Sequence, residues 1–169
     1  MWQFLLDCAI IIAGFAAAAS VFYLAKQIKI SINEAKINRS HSLIQRYNNP
    51  VFGKMLSDAI MLIGEFRQGK GKLKDFAENT NLSPGVIHAY QSVGISLNFF
   101  EEIGQFYNRG FLDDKLIEDF FGASSIYYYK EAESYIKFRM ERKKDEELYS
   151  QWRTMNETFR RKIVIPKDV

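Results

Sequence analysis

Between Cys8 and Ala25 the chain carries eighteen residues without a charge. A run of that length meets the threshold for a membrane-spanning helix. Trp2 to Ala25 would measure about 36 Å as a helix, enough to cross a bilayer with some tilt. A buried core helix would show a polar face, and AIIIAGFAAAASVF shows none. A cleaved signal peptide carries positive charge ahead of its apolar run. Here no Lys or Arg precedes the run, whereas Lys26, Lys29 and Lys36 follow it. Residues 1–25 are therefore expected to be a retained single-pass anchor, with Met1 outside and Lys26 onward cytoplasmic. In a bacterium that places the chain in the inner membrane.

The anchor carries two further features. Ala9, Ala13 and Ala17 recur four apart, and Gly14 and Ala18 form a second small pair beside them. Small faces let helix backbones approach closely in lipid, which predicts a homo-oligomer. Asp7 is the one carboxylate in the span. It either reaches the headgroups or faces a lumen at the centre of an assembly.

The basic excess follows the anchor directly. Residues 26–47 hold Lys26, Lys29, Lys36, Arg39 and Arg46 against Glu34, while residues 48–169 balance 18 basic against 18 acidic side chains. Lys26, Lys29, Lys36 and Arg39 suit anionic lipid headgroups, so the bilayer is the first expected partner. A neutral body is a poor match for DNA. Cys8 is the sole cysteine, which leaves no internal disulfide and no Cys-based zinc site.

Beyond the anchor, helical periodicity predicts an all-α protein. No Pro or Gly lies between Phe15 and Asn49, so residues 26–49 are read as a basic stalk continuing the anchor helix, ended by Pro50. Residues 50–162 are read as a bundle of four or five helices, and 163–169 as an apolar tail. The helix from Pro50 to Arg67 is expected to turn Val51, Phe52, Met55, Leu56, Ala59, Ile60, Ile63 and Phe66 inward. Leu73–Asn79 suggests a short helix, with a break at residues 79–81. Ser83 and Pro84 open a helix that ends at Asn108. Asp113 caps a helix to about Lys144 that turns Leu116, Phe120, Tyr127 and Tyr135 inward. A last helix is expected from Asp145 to Arg161.

Chemical signatures are sparse. Gly64 to Lys70 matches the spacing of a phosphate-binding loop, but Gly71 stands where Ser or Thr would hold magnesium, and the segment leaves a helix. With His41 and His88 alone, no Glu-x-x-His pair exists for a di-iron bundle. Zinc-protease and nucleophile-elbow motifs are absent. Adjacent acids such as Glu101-Glu102 read as a solvated face, or as Glu101 turned inward beside Phe100 to pair with Arg139 or Arg142. Helical-bundle RNases use an Arg four to six residues before a His. Arg39 and His41 are too close for that, and no Arg precedes His88 at that spacing, so Arg39, His41 and His88 stand as weak candidates. His88 reads instead as a hydrogen-bonded interior or boundary residue. No cofactor, metal ligand set or catalytic residue is expected.

SLNFFEEIGQFYNRGFLDDKLI (96–117), SYIKFRMER (134–142), LYSQW (148–152) and YNNPVF (47–52) together resemble a bacterial family of unknown function, the DUF4760-type membrane-anchored helical proteins. That resemblance implies a fold and no activity. A second resemblance, of architecture alone, is to the small membrane accessory proteins of RNA-targeting CRISPR systems, described as pores that depolarise the membrane during phage defence. It implies a non-enzymatic effector that assembles into a ring, with an RNA-targeting effector or another protein as partner. Two other functions fit the same residues: a membrane-tethered binding module for a protein or small signal, and a divergent RNase.

Overall fold

The computed structural model describes residues 1–78 and 83–162, without the side chains of residues 4–13 and 16. Among the described residues there are six α-helices and no strand: α1 Trp2–Tyr47, α2 Pro50–Arg67, α3 Lys72–Ala77, α4 Pro84–Asn108, α5 Asp114–Lys143 and α6 Ser150–Lys162. The chain is all-α. It divides into two units, Met1–Asn38 and Arg39–Val169. Expectations for the break at 79–81 and the tail at 163–169 lie outside the described residues.

The first unit is one helix. Phe15, Val21, Phe22, Tyr23 and Leu24 are each more than half exposed. Successive helical residues are about 100° apart, so Val21 to Leu24 expose apolar groups on every side of the helix. Past Lys26 the surface becomes mixed, with Ile28, Ile30 and Ile32 exposed among Lys26, Lys29 and Glu34. Among the described residues no helix is long and apolar enough to cross a membrane.

The second unit packs α2–α6 with the last turns of α1. α4 is its centre: Val93, Leu97, Phe99, Phe100, Ile103 and Tyr107 are all buried along it. Asn49 caps α2, its side-chain oxygen accepting from the Val51 and Phe52 amides. Pro50 takes the first helical position, where its missing N–H costs nothing. Asp113 caps α5 by accepting from the Leu116 amide at 2.8 Å. Ser83 occupies the position before Pro84 and gives α4 no side-chain capping bond.

Four expectations are corrected. Val51 is 80% exposed rather than inward. On α5, Ile117, Phe121 and Ser125 are buried while Phe120 and Tyr127 are exposed. The inward stripe therefore lies one residue later than Leu116, Phe120 and Tyr127 suggest. The sequence is apolar on adjacent positions there (LI, FF, IYYY), so hydrophobicity alone could not fix the register. The last helix begins at Ser150 rather than Asp145. Lys144 ends α5 in the left-handed conformation (φ 52°) and Tyr149 also has positive φ, so the chain makes two reversals before α6 can start. Glu101 meets neither Arg139 nor Arg142; its partners are described below.

Candidate functional site

The residues with chemical potential are placed by α4. Near its C-terminal end, Glu101, Gly104 and Asn108 follow one another at spacings of three and four, so they share a face. That face receives the start of α6. The Glu101 carboxylate accepts from the Trp152 amide at 2.8 Å and the Gln151 amide at 3.2 Å. Asn108 Nδ2 donates to the Gln151 carbonyl and side chain at 3.0 and 3.1 Å. The first amides of a helix have no partner within it; here a carboxylate from a neighbouring helix supplies one, with favourable charge for the helix dipole. Glu102, one residue on, pairs with Arg46 at 2.8 Å. Both acids hold helices together rather than forming a catalytic pair. Sequence reasoning missed this arrangement; the 101–104–108 spacing was the signal available for it.

Burial pushes the Glu101 carboxyl above its ordinary 4.5, against the lowering effect of the Trp152 and Gln151 amides and the Arg153 charge. The folded state then binds this proton more tightly than the unfolded chain. The stability it contributes is complete below pH 4.5 and is lost as pH rises through the raised folded value. The stability of wild type minus that of Glu101→Gln should therefore fall as pH rises from about 4.5 toward neutrality. Denaturant midpoints of the two proteins across that range measure it, and a flat difference would refute the assignment.

A second knot closes the far end of α6. Tyr107 donates to Glu118 at 2.5 Å, and Lys162 bonds to the same carboxylate. Burial would raise the Glu118 carboxyl, but the bonds from Lys162 and Tyr107 outweigh it and hold the group below its usual range. Burial and Glu118 push the Tyr107 phenol up to about 12.

The RNase candidates are not brought together. Arg39 lies over the Phe106 and Phe111 rings, 5.5 Å from each centroid, and donates to the Phe111 carbonyl at 3.2 Å. His88 stands near the opposite end of α4, eighteen residues from Phe106, or about 27 Å along the helix. It is exposed rather than interior, with Nδ1 3.5 Å from Ser92 Oγ. It borders an open groove of about 640 Å³ between α2 and α4, lined by Val51, Met55, Met61 and Ile95. His41 is exposed on α1. Gly64 to Gly71 runs from the last turn of α2 into the α2–α3 turn, without the preceding strand that a phosphate loop requires. Gly71 is there for shape: φ is +85°, and a Cβ would meet the Glu65 Cβ at 2.8 Å. Among the described residues no group of three or more His, Cys, Asp or Glu could hold a metal.

Gly14, Ala17 and Ala18 are exposed on α1, as are Lys26 and Lys29, with Lys36 half-buried. Asp7, Cys8, Ala9 and Ala13 lie outside the described side chains.

No curated protein and no solved structure matches the chain. A family model does, over residues 8–159, spanning the apolar stretch and the bundle through to Phe159. The chain belongs to the family described as a domain of unknown function, DUF4760.

Proposed function

We propose that this chain is a single-pass protein of a bacterial inner membrane, whose first helix both anchors it and brings copies together. The unit from Arg39 onward is then a non-enzymatic cytoplasmic domain. The assembled form acts as a membrane effector in antiphage defence, as a ring or pore that depolarises the bilayer. The observation that carries the anchor is the exposure of Phe15, Val21, Phe22, Tyr23 and Leu24, the last four of which point apolar groups to every side of the helix. Exposed apolar groups in such density are unfavourable in water and favourable in lipid. Lys26 and Lys29 follow at the position where cytoplasmic charge is expected.

Sodium carbonate extraction followed by sizing of the detergent-solubilised chain tests the reading. The chain should stay in the membrane and run as an oligomer. Ala13→Leu keeps the hydrophobicity and should shrink the particle without releasing it, because close packing in lipid depends on small side chains. Release by carbonate would remove the anchor. A monomeric wild type would remove self-assembly and leave a membrane-tethered binding module in its place.

A further inference from the structure

Arg139 projects from α5 into the second unit with 7% of its surface exposed. None of the ion pairs among the described residues involves it. Its Nη1 donates to the Tyr149 hydroxyl at 2.6 Å. Its guanidinium carbon lies 5.3 Å from the Tyr90 ring centroid and 5.6 Å from that of Tyr149. Its Nε, which is buried, has no hydrogen-bond partner. One turn earlier on α5, Tyr135 is fully buried and its hydroxyl is also without a partner.

A buried guanidinium is costly unless an opposite charge accompanies it. Ring faces recover part of that cost. Tyr149 cannot supply the charge, because burial pushes its phenol up to about 12 and keeps it neutral. The cluster therefore holds one positive charge without an ion-pair partner and two unused donors, Nε–H and a phenolic O–H. They lie an i, i+4 step apart, the spacing of neighbours on one helix face. The guanidinium edge that includes Nε is the edge suited to bidentate contact with a planar oxyanion. Gly94 borders the group from α4; a Cβ there would stand 3.3 Å from Nη1. Tyr90, whose ring lies against the guanidinium, is half-exposed.

We propose that Arg139 and Tyr135 form a binding site for one oxyanion group, a carboxylate or a phosphate, of a small free ligand. The anion completes the charge of Arg139 and accepts from Nε and from the Tyr135 hydroxyl. This goes beyond the membrane-effector reading and does not depend on the anchor, since it gives the second unit a ligand chemistry of its own.

Thermal unfolding of the full chain in detergent, at fixed ionic strength, tests it. Sodium acetate and sodium phosphate are each titrated against sodium chloride. Wild type should show a saturable rise in Tm, roughly 5–10 °C at a hundredfold excess over Kd. The anion that gives the rise identifies the group. Arg139→Met should abolish the rise. Tyr135→Phe should keep it but move its midpoint to at least several-fold higher concentration. His88→Ala, elsewhere on the surface, should leave it unchanged. An equal rise in Arg139→Met would show general salt stabilisation and overturn the site, as would a wild type that responds to neither anion. If Arg139→Met does not fold, Tyr135→Phe decides, and an unshifted midpoint overturns the proposal.

Discussion

Gly104→Ala is expected to destabilise the protein by about 2–4 kcal/mol, although Ala is the better helix former. Replacing a mid-helix Gly by Ala gains about 1 kcal/mol where there is room. At Gly104 there is none. A Cβ would lie 2.6 Å from the carbonyl carbon and oxygen of Gln151 and 2.7 Å from the Trp152 nitrogen. All three are backbone atoms, so no side-chain rotation relieves the contact, and α6 must move away from α4. Movement there also lengthens the bonds from the Gln151 and Trp152 amides to Glu101 and from Asn108 to Gln151. Losing a helix cap costs about 1 kcal/mol on its own. Gly64→Ala supplies the contrast: nothing lies within 4 Å of its added Cβ, so it should stabilise by about 0.5–1 kcal/mol. Chemical denaturation of both variants beside wild type compares them. Stabilisation by Gly104→Ala would mean that α4 and α6 do not touch at this point.

Elements with local punctuation were legible in the sequence. Asn49-Pro50, Ser83-Pro84 and Asp113 mark helix starts through capping and proline geometry, which operate within four residues. The helices from Pro50 to Arg67 and from Pro84 to Asn108 have the bounds that punctuation predicts. Register on α5 was not legible, because Phe120 and Phe121 are equally apolar and only packing chooses between them. Phe121 meets Tyr47 edge-on at 5.3 Å and Phe99 at 6.1 Å. Those partners lie 74 and 22 residues away along the chain, beyond any local pattern. The start of α6 was hidden for the same reason. The amides of Gln151 and Trp152 are satisfied by Glu101, fifty residues before Gln151, and Tyr149 rather than a capping Ser, Asp or Asn precedes the first residue, Ser150.

The Arg139 cluster was illegible for a different reason. SYIKFRMER reads as an ordinary amphipathic stretch, in which an Arg faces water or, on the reading given above, turns inward to pair with Glu101. That Arg139 faces inward follows from the stripe formed by Ala132, Tyr135, Ile136 and Arg139, all buried. Its lack of a carboxylate depends on the side chains that α4 and the turn before α6 present to it. Tyr90 and Tyr149 lie 49 residues before and 10 residues after it, and both present rings rather than acids.

Phe100→Ala should lower stability by about 3–5 kcal/mol, the range for truncating a fully buried aromatic. Phe100 is 1% exposed and stacks on Trp152 with centroids 4.9 Å apart and planes 11° from parallel. Trp152, itself fully buried, donates from Nε1 to Ser125 Oγ at 2.7 Å, and Ser125 donates to Asn156 at 2.8 Å. This polar chain ties Trp152 to α5, so the indole cannot tilt freely into the space Phe100 leaves. Incomplete collapse places the cost toward the upper part of the range. Phe100→Leu should recover part of the loss by refilling some of the volume. The ring pair itself should appear in a cycle with Trp152→Ala as a coupling of about 0.5–1.5 kcal/mol beyond buried area. Denaturant midpoints with an unchanged slope are the readout. A loss below about 1 kcal/mol would place Phe100 at the surface of the bundle and refute the packing of α4 against α6.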